Sequence, residues 1–108
     1  MNFRMASARM DLCCIRYFLA VCQHGSFTMA AKLCGVSQPS VTTGVRRLER
    51  QLGAELFERR HPVRLTSFGQ EMRPLLEGIQ VATDRVHGAL EERKRLKANG
   101  DGYGLSEL

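Results

Sequence analysis

Apolar positions along the chain follow helical spacing in four stretches, punctuated by glycines and by one short alternating segment. In the first stretch Leu12, Ile15, Leu19 and Cys22 recur three or four apart, with Phe18 beside them. Asp11 stands where an N-cap belongs and Gly25 where a helix stops, so a helix is expected between them. Ser26 can cap a second helix, which carries the small pair Ala30 and Ala31 and ends at Gly35. Ser37 can cap a third, with Pro39 tolerated in its first turn. The apolar face of this third helix is Val41, Val45, Leu48 and Leu52, and Gly53 closes it.

Beyond Gly53 the period changes. Leu56 and Phe57 are core candidates, and Val63 and Leu65 alternate with Arg64, which is the spacing of a strand. Pro62 suits a strand start or edge. Arg59, Arg60 and His61 are left at the tip between two short strands, so 55–66 is expected to form a basic wing; a plain basic loop is the other reading. From Ser67 helical spacing returns and persists: Met72, Leu75 and Leu76, Ile79, Ala82 and Thr83, Val86, Ala89 and Leu90. Arg93 interrupts the series and Leu96 resumes it. A helix of about 30 residues would run ~45 Å at 1.5 Å per residue. Its apolar stripe needs a cover, either a second copy of itself or its own domain. Gly78 and Gly88 each weaken it by ~1 kcal/mol relative to alanine. Beyond Lys97 the chain is glycine-rich and is expected to be a flexible tail over 98–108, just as 1–9 reads as a loose leader.

The stretch from Phe27 to Glu49 organises the rest. Small residues, a glycine turn and a capped second helix are helix-turn-helix grammar, in which the second helix enters the DNA major groove. An ordinary αα-hairpin would share that grammar. The face opposite Val41–Leu52 favours DNA: Gln38, Pro39, Thr42 and Thr43 come first, Arg46 and Arg50 later. Short hydrogen-bonding groups at the tip suit base edges, and cations further along suit phosphates.

Composition supports this reading. The 108 residues carry a net charge of +5, and residues 10–67 hold eight Lys or Arg against four Asp or Glu. Most of the positive excess therefore lies with the motif, as a polyanion-binding domain requires. No apolar run approaches the ~18 residues of a membrane span. The start of the chain is too polar for a signal peptide, which implies a cytoplasmic protein with reduced thiols, expected to be nucleoid-associated if it binds DNA. Cys13, Cys14, Cys22 and Cys34 form no C-x-x-C and no ligand spacing with His24, His61 or His87. They are expected to act as small hydrophobes rather than as metal ligands or redox centres, and no cofactor is implied. No nucleophile elbow, phosphate loop or metallohydrolase motif occurs, so an enzyme is not expected.

The combination RYFLAV, GSFTMAA, VSQPSV, RRLE, LG, LFER and VRLT resembles the N-terminal DNA-binding domain of LysR-type transcriptional regulators over roughly 10–95. The resemblance implies a mainly α fold. Its winged helix-turn-helix has three helices plus a two-stranded β wing, over 10–67, with the helix-turn-helix at about 27–46. A long dimerisation helix follows over 68–97. By position it makes Gln38, Pro39, Ser40, Thr42 and Thr43 the base-reading candidates. Ser26, Thr28, Lys32, Ser37, Arg46, Arg47, Arg50, Arg60, His61 and Arg64 become backbone or wing candidates. Met72, Leu75, Leu76, Ile79, Val86 and Leu90 become the dimer face. The expected partners are double-stranded DNA bearing an interrupted palindrome and a second copy of the chain; the alternative reading is an interaction protein that forms mixed dimers with full-length relatives and inhibits them. Departures are informative. Thr43 stands where the family often has arginine, Gly44 falls inside the recognition helix, and Cys34 takes a usual leucine position. The wing is about one residue shorter, and family members continue into an effector-binding domain that the 108 residues are expected to lack.

Overall fold

Each of the first three helices begins on a side chain that accepts a backbone N–H and ends on a glycine in the left-handed region. In the computed structural model, which describes residues 10–99, α1 spans Leu12–His24, with Asp11 accepting from Cys13 N at 2.9 Å. The second helix, α2, spans Phe27–Cys34 and is capped by Ser26, which accepts from Met29 N at 3.1 Å. The third, α3, spans Gln38–Leu52 and is capped by Ser37, with Pro39 in its first turn. Gly35 has φ 70° and Gly53 has φ 91°, conformations in which a Cβ would be strained. These local signals set the helix boundaries where the sequence places them.

The core forms where the three helices cross. Ile15, Phe18 and Val21 of α1 meet Ala30 and Ala31 of α2 and Val41, Val45 and Leu48 of α3, all essentially without solvent contact. The small alanines let the helices approach, as expected. The buried face of α1 differs from the expected one. Cys14, Ile15, Phe18 and Val21 are inside, Leu12 is exposed, and Leu19 and Cys22 are only half-buried. The segment LCCIRYFLAVC is apolar on more than one side, so spacing alone fits two adjacent faces, and α3 selects one of them. Leu52 is likewise half-buried, because the last turn of α3 rises out of the core.

Gly44 has a packing reason. A Cβ there would lie 2.6 Å from Tyr17 Cδ2, so α1 and α3 cross with the tyrosine ring over the glycine backbone. Its place inside α3 follows from that close approach rather than from a need for flexibility.

The wing is more economical than two strands. A single antiparallel bridge joins Phe57 to Leu65. Glu58 N donates to Arg64 O at 2.8 Å and Thr66 N donates to Leu56 O at 2.9 Å. Leu56 and Phe57 are buried as expected, and the Phe57 ring packs against Phe18 and Phe27 with centroids 5.3 and 5.6 Å away. The arms are too short to extend the ladder past one bridge.

The last helix, α4, spans Ser67–Asn99 and continues through Pro74. Thr66 caps it, accepting from Gly69 N at 2.9 Å, and ties it to the wing by donating to Glu55 O at 2.6 Å. Ala98 and Asn99 are helical, so the helix runs two residues further than the expected tail boundary. The rest of that tail and the 1–9 leader lie outside the described residues. The chain divides into two units between Gly78 and Ile79. In the first unit Gly69 and Leu76 are buried and Met72 and Arg73 are half-buried. Leu76 therefore belongs to its own domain's core and leaves the expected dimer face. In the second unit Val81, Val86, Leu90 and Leu96 are exposed and Ile79 is half-buried. No helix among the described residues is long and apolar enough to cross a membrane.

Candidate nucleic-acid interface

The exposed side of α3 carries Gln38, Pro39, Ser40, Thr43, Arg46, Arg47 and Arg50, with Thr42 half-buried between them. The helix is amphipathic because its apolar stripe is consumed by the core, which forces the polar stripe into solvent. Gln38 Nε2 donates to Thr42 Oγ1 at 2.8 Å, one turn on, so the two side chains lie together at the start of the helix. Ser37 and Ser40 are linked through their hydroxyls at 2.9 Å. Both therefore hold the first turn, as Ser26 holds the start of α2. Thr28 and Lys32 are exposed on α2.

Beside this surface runs an open cleft of ≈ 420 Å³ between α3 and the wing. Gln38, Thr42 and Arg46 line one wall, and Arg60 and His61 line the other. Phe27, Val45 and Phe57 lie between them. The structure thus brings five of the candidate residues to one opening. Others lie elsewhere. Arg64 faces a second cleft with Cys22, Leu65 and Gln70, on the far side of the wing arm. Arg47 reaches back to Asp11, 3.7 Å away. Arg60 pairs with Glu58 at 2.9 Å. Among the described residues Lys32, Arg46, Arg50 and Arg64 form no ion pair, so their charge remains available to an incoming polyanion.

One residue that spacing did not single out holds the site together. Glu49 is only 5% exposed although it carries a carboxylate. Its Oε2 accepts from Leu56 N at 2.7 Å and from Phe57 N at 3.3 Å. Its Oε1 accepts from Arg59 Nη2 at 2.8 Å. Arg59 Nε is in turn 3.3 Å from Glu55. Desolvation works against the Arg59 charge, but the hydrogen bond and attraction from Glu49, then Glu55, outweigh it and raise its pKa. Arg59 is therefore committed to ion pairs within the chain, unlike Arg46 or Arg50. The signal was present in the sequence: position 49 is four residues after Val45 and falls on the apolar stripe. A charged residue on that stripe must be paired.

A family model described as bacterial regulatory helix-turn-helix protein, lysR family, matches residues 14–70, more than half of the chain. The chain belongs to the LysR family. Over 64 residues this LysR-family chain is 52% identical to the HTH-type transcriptional regulator AbaB of Streptomyces antibioticus, covering 58% of the chain and 21% of AbaB. It is also 34% identical over 107 residues to an HTH-type regulator from the ibpB–leuC intergenic region of Azotobacter vinelandii, covering 92% of the chain and 74% of that protein. The fold superposes on the crystal structure of the BenM DNA-binding domain with benA site 1 DNA, with a TM-score of 0.70 and 30% identity. That match covers 79% of this chain and 97% of the BenM domain. The chain spans about a fifth of AbaB and, at 43%, less than half of BudR from Klebsiella aerogenes.

Proposed function

We propose that this LysR-family chain is a sequence-specific, DNA-binding transcriptional regulator. In this reading α3 enters the major groove, Gln38 and Thr42 meet base edges, and Arg46 and Arg50 meet phosphates. The wing tip, Arg60 and His61, lies along the flanking backbone. The observation that carries the reading is the exposed edge of α3. It has hydrogen-bonding side chains at its start and uncommitted arginines beyond, and it opens into the wing cleft. The order is that of base contact at the helix tip and phosphate contact behind it. The DNA-bound BenM domain, which shares the fold, supports the assignment of the ligand class.

Two copies are proposed to pair through α4. At 100° per residue, Met72, Leu75, Ile79, Val86 and Leu90 fall within about 60° of one another on the helix, a single narrow stripe. Leu75, Val86 and Leu90 are each at least half exposed. Burying each such side chain is worth roughly 1.5–3 kcal/mol, which on both copies outweighs the ~1 kcal/mol that each glycine costs the helix. A two-fold pair presents two recognition helices, so the operator is an interrupted palindrome with half-sites about a whole number of turns apart. Selection of bound duplexes from a randomised pool tests this. The expected result is enrichment of one inverted-repeat sequence; recovery of no sequence preference overturns the proposal.

A further inference from the structure

We propose that Glu49 is a positioning residue for DNA recognition, fixing the wing to the recognition helix so that both engage one duplex in a set register. This rests on the function proposed above and assigns the device that aligns its two contact elements. The three donors to Glu49 come from one continuous arm: the N–H groups of Leu56 and Phe57 and the guanidinium of Arg59. The carboxylate therefore clamps the arm at three points immediately before the tip. Past that clamp the described backbone bonds holding the wing are few, chiefly Glu58 N to Arg64 O and Thr66 N to Leu56 O. Without the clamp, the tip residues Arg60 and His61 lose their fixed offset from Gln38, Thr42 and Arg46 across the cleft.

The choice of residue points the same way. A leucine on this stripe would bury well, and replacing a buried ion pair by apolar packing is often neutral or stabilising. An apolar side chain cannot accept three hydrogen bonds and so cannot set direction. The acid also lies on the DNA-facing helix, within one turn of Arg46 and Arg50. As a bare charge it opposes polyanion binding. Its two possible roles thus predict opposite signs. A mere charge makes its removal strengthen binding; a positioning role makes its removal weaken binding.

The test uses the full chain carrying Glu49→Gln, a duplex selected from a randomised pool by the wild-type chain, and a random-sequence duplex. Thermal melting checks the fold, salt titration gives the log–log slope, and hydroxyl-radical footprinting maps the contacts. The variant is expected to keep protection and preference at the bases under α3 but lose the flanking protection. Its salt slope should become shallower by ~0.9 for each phosphate contact the wing gives up. Binding that is unchanged or tighter, with the flanking footprint intact, overturns the inference while the wild type's own selectivity leaves the proposed function standing. A wild type that selects no sequence overturns both. Should Glu49→Gln not melt cooperatively, Arg59→Met decides. That side chain is 44% exposed and the two backbone bonds to Glu49 remain. Loss of flanking protection alone in Arg59→Met supports the clamp; a wild-type footprint overturns it.

Discussion

Replacing Gly69 by alanine would place a methyl carbon 2.2 Å from the Leu56 carbonyl oxygen and 2.9 Å from Leu65 Cδ2. The first neighbour is backbone, and the same oxygen accepts from Thr66 N at 2.9 Å. It cannot turn aside without opening the junction between the wing and α4. Two terms of opposite sign decide the outcome. Forcing a methyl into a packed contact costs ~1–3 kcal/mol, and a backbone obstacle puts this case at the upper end. Alanine returns at most ~1 kcal/mol over glycine in a helix. The net is a loss of about 1–2 kcal/mol. Gly78 and Gly88 lie on the same helix with no atom within 4 Å of an added Cβ. There only the propensity term acts, and the same change should stabilise by up to ~1 kcal/mol. Urea unfolding followed by far-UV circular dichroism gives all three, and a shifted midpoint at constant slope identifies a change in stability. A Gly69→Ala midpoint at or above wild type refutes the reasoning.

Other positions give further tests. Arg46→Ala should flatten the salt slope of DNA binding by ~0.9, with sequence preference unchanged; an unchanged slope places Arg46 off the DNA. Ile79→Asp puts a charge in the proposed α4 seam and should yield monomers that keep the fold of 10–66 but bind a palindromic duplex far more weakly, as mass measurement and titration will show. Burial, with Glu77 adding and Arg73 opposing, pushes the Cys22 thiol up to about 11 from its ordinary 9.0. The folded state thus holds this proton more tightly, so its contribution to stability is full below pH 9.0 and is lost as pH rises to about 11. Alkylation at neutral pH should accordingly label the exposed Cys13 well before Cys22 or the buried Cys14, by mass spectrometry of timed samples.

The parts of the fold legible in the sequence are those written in local chemistry. Ser26, Gly35, Ser37 and Gly53 set helix ends because capping involves only neighbours in the chain. The apolar stripe of α3 was legible because the residues around it are polar. The face of α1 was not, because Cys14, Phe18 and Val21 compete with Leu12 and Leu19 on an almost wholly apolar segment, and the packing partner decides. Leu76 sits with the dimer-face candidates by spacing for a similar reason: one turn of α4 is apolar on two sides, and its own domain takes one. Pro74 carries no helix signal, yet the helix continues through it, held by packing at Gly69 and Leu76 on either side. For the site, the exposed polar edge followed from the stripe it opposes. For Glu49 the stripe position shows only that the charge must be paired; its partners, seven to ten residues on, become identifiable when the arm folds against it.

In the proposed function α3 discriminates between sequences through Gln38. A glutamine can pair bidentately with adenine, which is worth ~1–3 kcal/mol of discrimination. The most direct measurement titrates a duplex selected by the wild-type chain, and a random duplex of equal length, with wild type and with Gln38→Ala at one fixed salt concentration. Wild type is expected to prefer the selected duplex, and Gln38→Ala to lose most of that preference at one base step while its binding to random DNA is nearly unchanged. Equal loss on both duplexes, or a full preference retained without the glutamine, would contradict it.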